Sequence, residues 1–300
     1  MPRLAPLLAT ALLLTPAPVL AQPEQAPLRD CRALLKSAFN DVTVTPETTA
    51  EDVPGGCRFT HVGYLLEGMV EYRADEVALL TPNLLATFPT EAIFKSADLS
   101  IKGLRILPRT GNLMSDYLTS QYTRPINIDL VYDTDPEELT AQLKRFSFDA
   151  GDIGRLTLYA RFSNFDNTDL DHTGLTNETG VIHELGLAIE DNGLIATYFL
   201  PILVSGLPYD EDPRPTIAEQ KIAISTAIRA LPEELISMVS AESLVRFVTA
   251  FPLAYGNWTL HVESEKGLPL SALDASSIDD LVALFASDAT ISATADYRGE

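Results

Sequence analysis

The residues of this chain best suited to chemistry form one short run, Asp166-Asn167-Thr168-Asp169-Leu170-Asp171-His172-Thr173-Gly174. Closely spaced carboxylates beside a glycine can wrap a hard cation, because calcium is held by oxygen ligands from a loop that turns sharply. From Asp169 the spacing fits a calcium loop at its first, third and sixth places, which are Asp169, Asp171 and Gly174. The twelfth place, where a bidentate Glu belongs, is Gly180, and the nearest acid is Glu178. Two readings stand: a weak calcium site with Asp166, Asp169 and Asp171 as ligands, or a solvated acidic loop. The first would serve either a calcium-binding protein or a metal-assisted periplasmic enzyme.

Other constellations are poorer. His183-Glu184 opens like the zinc motif HExxH, but no second His follows and the pair lies in a strand pattern, where i and i+4 do not share a face. His61, His172 and His261 are scattered and read as exposed or hydrogen-bonded side chains. No GxSxG, Walker loop or GxGxxG occurs, which removes the commonest hydrolase, nucleotide and dinucleotide signatures. No catalytic residue is assigned, and the first expectation is a protein that is not an enzyme.

The compartment is legible at the start of the chain. Arg3, an apolar stretch over residues 7–14 and Val19-Leu20-Ala21 make a secretory signal peptide of residues 1–21, with Gln22 opening the mature chain. That places the protein in the periplasm. No later apolar run reaches the about 20 residues that a bilayer-spanning helix needs. In an exported chain the two cysteines, Cys31 and Cys57, imply a disulfide, whose loop closure contributes about 3 kcal/mol. Losing Arg3 with the leader takes the formal charge from −21 to −22, a field that argues against nucleic acid and anionic lipid headgroups as electrostatic partners.

The elements that must position these groups follow from apolar periodicity. Leu139, Ala141 and Leu143, then Phe146, Phe148 and Ala150, then Leu156, Leu158, Ala160 and Phe162, then Leu185, Leu187 and Ile189 alternate at period two, as neighbouring half-buried strands do. Earlier, a helix over residues 27–40 precedes a short strand at Val42 and Val44, a strand with Val62, Tyr64 and Leu66, and a hairpin at Glu67-Gly68. Ala97, Leu99 and Ile101 stand out of step with Leu104 and Ile106, so a bulge at Gly103 is expected to return both sets to one side. A similar step falls at Lys144-Arg145. A short helix over 112–122 leads to a strand with Ile126, Ile128, Leu130 and Tyr132.

Helices follow over 194–251: one from Leu194 kinked at Pro201, one begun by a Thr216/Glu219 capping box, a short one after Pro232, and one capped by Ser240. A strand at Trp258, Leu260 and Val262, a helix over 276–285 and a strand from Ile291 to Tyr297 close the chain. The expected fold is a single α+β domain over residues 22–300, a large curved antiparallel β-sheet of about nine strands with helices packed on its apolar face. Leu194, Tyr198, Phe199, Ile224, Phe247 and Phe251 are either its core or the lining of a groove for an acyl chain.

Several short pieces together carry a resemblance: a Cys-bearing first helix, Gly55-Gly56-Cys57-Arg58-Phe59, the strands around Phe146 and Leu158, Asp191-Asn192-Gly193-Leu194, and Asn257-Trp258-Thr259-Leu260 before Leu268-Pro269-Leu270. In these the chain resembles exported proteins of Gram-negative, especially alphaproteobacterial, bacteria, and more loosely the AsmA-like envelope proteins. The AsmA-like resemblance alone implies lipid handling in the envelope; the expectation for this chain is a hydrophobic small molecule or an envelope protein bound through the curved sheet.

Overall fold

The structure, a computed structural model, describes residues 28–38, 47–66, 70–88, 94–165, 180–201, 212–270 and 289–297. Its elements are α1 Cys31–Ala38, β1 Thr49–Val53, β2 Gly56–Leu66, β3 Val70–Leu80, α2 Leu84–Thr87, β4 Ser96–Pro108, α3 Leu113–Tyr122, β5 Ile126–Asp135, β6 Thr140–Asp149, β7 Gly154–Ser163, β8 Val181–Asp191, α4 Pro213–Ala230, α5 Met238–Ala250, β9 Gly256–Pro269 and β10 Ala289–Tyr297. The strands form one antiparallel ten-stranded sheet in chain order, so the fold is the expected α+β sheet with one strand more than the count of about nine. Among the described residues, no helix is long and apolar enough to cross a membrane.

Contacts cluster the described chain into two units, one holding residues up to 133 with 145–151, the other 134–144 with 152 onward. In the first, α1 lies over β2 and is tied to it by the Cys31–Cys57 disulfide, with the Cα atoms 5.5 Å apart. Cys31, Leu34, Cys57, Phe59 and Leu84 form its buried cluster, with Val62, Val77 and Leu79 packed against them. The Cys31 amide also donates to Asp52 at 2.8 Å, joining the helix start to β1.

The bulge expected at Gly103 is present: β4 slips by one residue against β5 between Ile101 and Leu104. Beside it the ladders of two neighbouring strand pairs are interrupted without a change of register. The β2–β3 pairs skip from Thr60↔Glu76 to Val62↔Ala74, the β3–β4 pairs skip from Arg73↔Arg105 to Glu76↔Lys102, and His61 and Gly103 both have positive φ, 53° and 66°. Because the step shifts the alternation, Val62 still packs on the cluster that holds Cys57 and Phe59. On β4 the outcome differs from expectation: Ile106 is 41% exposed and the buried residue there is Leu107, at 5%.

In the second unit, Leu158 and Ala160 of β7 and Ile182 and Ile189 of β8 are buried, as their alternation requires. One buried cluster joins Ile182, Val262, Leu268, Ala289 and Ile291 of the strands to Leu235, Ile236 and Ala241, which brings α5 onto the apolar face. Tyr159 faces Gly186 across β7 and β8, and its ring fills the place of a side chain there: a Cβ on Gly186 would stand 2.0 Å from it.

Four local readings are corrected. Leu139 is not a strand residue but sits in the turn before β6 with φ 52°, where its carbonyl accepts from the Phe165 amide at 2.8 Å. The α4 helix starts at Pro213 and is capped by Asp212, whose carboxylate accepts from the Arg214 amide; Thr216 already lies inside it. Ser237, not Ser240, caps α5. After Pro232 the chain makes a turn rather than a helix, and Ile236 bridges to Ile291 of β10. The expected strand at 42–44, the hairpin at 67–68 and the helix over 276–285 lie outside the described residues.

Candidate functional site

The helix α3 buries nothing. Leu113, Met114, Tyr117, Leu118 and Tyr122 are 87, 67, 60, 45 and 80% exposed, although each is large and apolar. Its presence therefore rests on local bonds rather than on packing. Asn112 caps it, its side chain accepting from the amides of Met114 at 3.0 Å and Ser115 at 3.1 Å. Asp116 accepts from the Thr110 amide at 2.8 Å and from the Thr110 hydroxyl at 2.9 Å, which folds the entry loop back on the first turn. These two bonds from Thr110, helped by the nearby Arg109, hold the Asp116 carboxyl below the usual carboxylate range.

Beside this helix the end of the β3–β4 pair forms one wall of a cleft of about 190 Å3, lined by Arg73, Leu107, Pro108, Arg109, Leu113, Asp116, Tyr117 and Ser120. Beneath it lies Glu71, 6% exposed, whose carboxylate receives Arg73 Nε on one oxygen and Arg109 Nη2 on the other. Arg109 also stands 3.8 Å from Asp116. A buried carboxylate costs desolvation unless it is paired, and here it is paired twice. The pairing fixes two guanidiniums at a cleft whose lining also carries the Asp116 carboxylate and Ser120. Among the described residues the terminal nitrogens of Arg73 meet no acceptor, and its side chain is 54% exposed.

Local charge here departs from that of the chain. From residue 102 to 124 there are four basic residues, Lys102, Arg105, Arg109 and Arg124, and one acid, Asp116. Glu76 and Asp75 on β3 pair with Lys102 and Arg105. The patch is thus close to neutral on a strongly acidic protein.

The groups singled out in sequence are placed differently. Cys31 and Cys57 form the disulfide; together with Asp52 they are also the one group among the described residues with metal-like spacing, and the bond leaves no thiolate to bind an ion. Asp166, Asp169 and Asp171 lie outside the described residues. Leu194 is fully buried, Phe247 meets Trp258 edge-on at 5.1 Å, Ile224 is 37% exposed, and Tyr198, Phe199 and Phe251 are half-buried.

His183 lies on β8 and contacts Ser163 at 2.7 Å through Nε2 and the Ser264 carbonyl at 3.2 Å through Nδ1. Since a carbonyl only accepts, the neutral ring carries its proton on Nδ1 and the Ser163 hydroxyl donates to Nε2. That is a histidine hydrogen-bonded on both ring nitrogens within the sheet.

Sequence reading placed α3 as a bridge and overlooked Glu71, Arg73 and Arg109. A signal was present: Glu71 and Arg73 are two apart on a strand and so share a face, and Pro108-Arg109 ends the strand facing them. No protein-family model, curated protein or solved structure matches this chain.

Proposed function

We propose that this is an exported, non-enzymatic protein of the bacterial envelope that docks on a lipid surface through the apolar face of α3. The observation that carries the reading is a capped helix with five large apolar side chains in solvent and none in the core. Exposed apolar groups gathered on one element mark an interaction site, since single ones are ordinary and a stripe is not.

Lipid fits this stripe better than the other hydrophobic occupants. By their exposure the five side chains offer on the order of 600 Å2 of accessible surface, short of the about 800 Å2 per partner of a stable protein interface, so this helix alone does not make a two-copy interface. The adjoining cleft, about 190 Å3, is too small to enclose an acyl chain, so chains must stay outside the protein. Leucine and methionine with two tyrosines is the composition that rests at the boundary of headgroups and acyl chains. The near-neutral patch spares this face the repulsion that the rest of the surface exerts. The signal peptide and the envelope resemblance read from sequence support the location.

Flotation with phosphatidylcholine vesicles tests it. The wild type should float with the vesicles, and the Leu113→Ser/Tyr117→Ser double variant should lose affinity by about tenfold or more with an unchanged melting curve. No flotation of the wild type, or equal flotation of the variant, overturns the reading.

A further inference from the structure

We propose that α3 selects a lipid surface by its packing and not by its charge: the bulky side chains of the helix enter gaps between headgroups, so the protein prefers strongly curved bilayers to flat ones. This rests on the lipid-docking reading and names the kind of surface that it selects.

The helix divides its residues by size and polarity without using charge. At about 100° of turn per residue, Leu113, Met114, Tyr117, Leu118 and Tyr122 fall within one half of the circumference, interrupted by Gln121 alone. The other half holds Ser115, Asp116, Thr119 and Ser120. Among the ten residues there is no Lys or Arg. The single charge, Asp116, is turned toward the protein: it lines the cleft, accepts from the Thr110 hydroxyl, stands 3.8 Å from Arg109 and has a side chain only 9% exposed. What α3 offers to a membrane is therefore apolar bulk flanked by hydroxyl groups.

That composition leaves one source of binding free energy. Interfacial helices commonly combine burial of an apolar face with the attraction of Lys and Arg to anionic headgroups. Here the second is missing, and a chain of formal charge −21 has no long-range pull toward an anionic surface. Burial alone has to hold the protein, and in a flat, well-packed bilayer a tyrosine or leucine must first part the headgroups. A convex surface of small radius presents the gaps already open, which is why binding by insertion is sensitive to curvature. The helix is also preformed, with Asn112 capping the amides of Met114 and Ser115, so no folding step on the membrane adds to the insertion.

Flotation is compared between phosphatidylcholine vesicles of about 30 nm and about 400 nm diameter at equal lipid, and between large vesicles with and without one-third phosphatidylglycerol. The wild type should bind the small vesicles about tenfold more tightly than the large, roughly the effect of one large apolar side chain inserted and not held out. Phosphatidylglycerol should not tighten its binding to large vesicles. The Ser115→Lys/Thr119→Lys variant supplies the missing cations on a helix that buries nothing, so its melting curve should be unchanged. It should bind large phosphatidylglycerol vesicles about tenfold more tightly than the wild type does.

Equal binding to the two diameters, or tighter binding of the wild type to phosphatidylglycerol, overturns selection by packing and leaves lipid docking intact. A Lys variant that gains nothing on phosphatidylglycerol does the same, because the absence of cations then does not set the preference. If the wild type binds no vesicle of either diameter, docking and this inference fall together.

Discussion

Arg109 donates to the carboxylate of Glu71 from the loop beyond β4, so a strand end and the entry to α3 are joined over a buried charge. Arg73 holds the other oxygen of the same carboxylate. Replacing Arg109 by Met should leave Glu71 with one partner and cost about 2 kcal/mol, the value of a charged hydrogen bond discounted for an arginine that is a third exposed. A urea titration would show it as a lower midpoint at constant slope. An unchanged midpoint would mean that Arg73 alone satisfies the carboxylate.

Gly103 and Gly111 both have positive φ, 66° and 76°, yet differ in surroundings. A Cβ at 103 would stand 2.0 Å from an Asp75 carboxylate oxygen, whereas at 111 nothing lies within 4 Å. Gly111→Ala should cost about 1 kcal/mol from backbone conformation alone. Gly103→Ala should cost about 2–3 kcal/mol, because Asp75 must also move off Arg105, with which it pairs at 3.0 Å. Equal denaturant midpoints for the two variants would contradict this account.

The disulfide closes a loop with a sequence separation of 26 between Cys31 and Cys57. Loop-closure entropy predicts that the Cys31→Ser/Cys57→Ser double variant loses about 3 kcal/mol. Thermal melting of the wild type in reductant should reproduce the variant. Identical melts with and without the bridge would show that the α1–β2 packing suffices.

Asp116 gives a dependence on pH of known sign. Its folded pKa is depressed below the ordinary 3.8, chiefly by the Thr110 amide and hydroxyl. The contribution is complete above the unfolded value and is lost as pH falls through the lower folded value. The loop at 109–112 and the first turn of α3 should therefore loosen only below about pH 4. Amide exchange at Thr110 and Met114 between pH 5 and pH 2 would report it, and loosening that begins near neutrality would contradict it.

The candidate site was less readable in sequence than the sheet around it. The strands β7 and β8 could be read because each side-chain row meets water on one side and core on the other, and residue type records that contrast. The edge strand β1, Thr-Ala-Glu-Asp-Val, has no such contrast; it is held by pairing with β2, and pairing leaves no mark on side-chain type. The caps were misplaced for a related reason. Asp212 and Ser237 compete with Thr216 and Ser240 on equal chemical terms, and the winner is set by where packing lets the helix begin.

By itself the sequence determined the antiparallel α+β class, the cysteine pair and the step at Gly103, because each depends on residues near one another in the chain or on a two-residue repeat. Only the tertiary structure decided that the apolar side chains of α3 stand in solvent and that Glu71 gathers Arg73 and Arg109 beneath them. Burial is a property of what lies opposite a residue. Leu113 in water and Leu158 in the core are the same letter, and their difference is made by other segments of the chain.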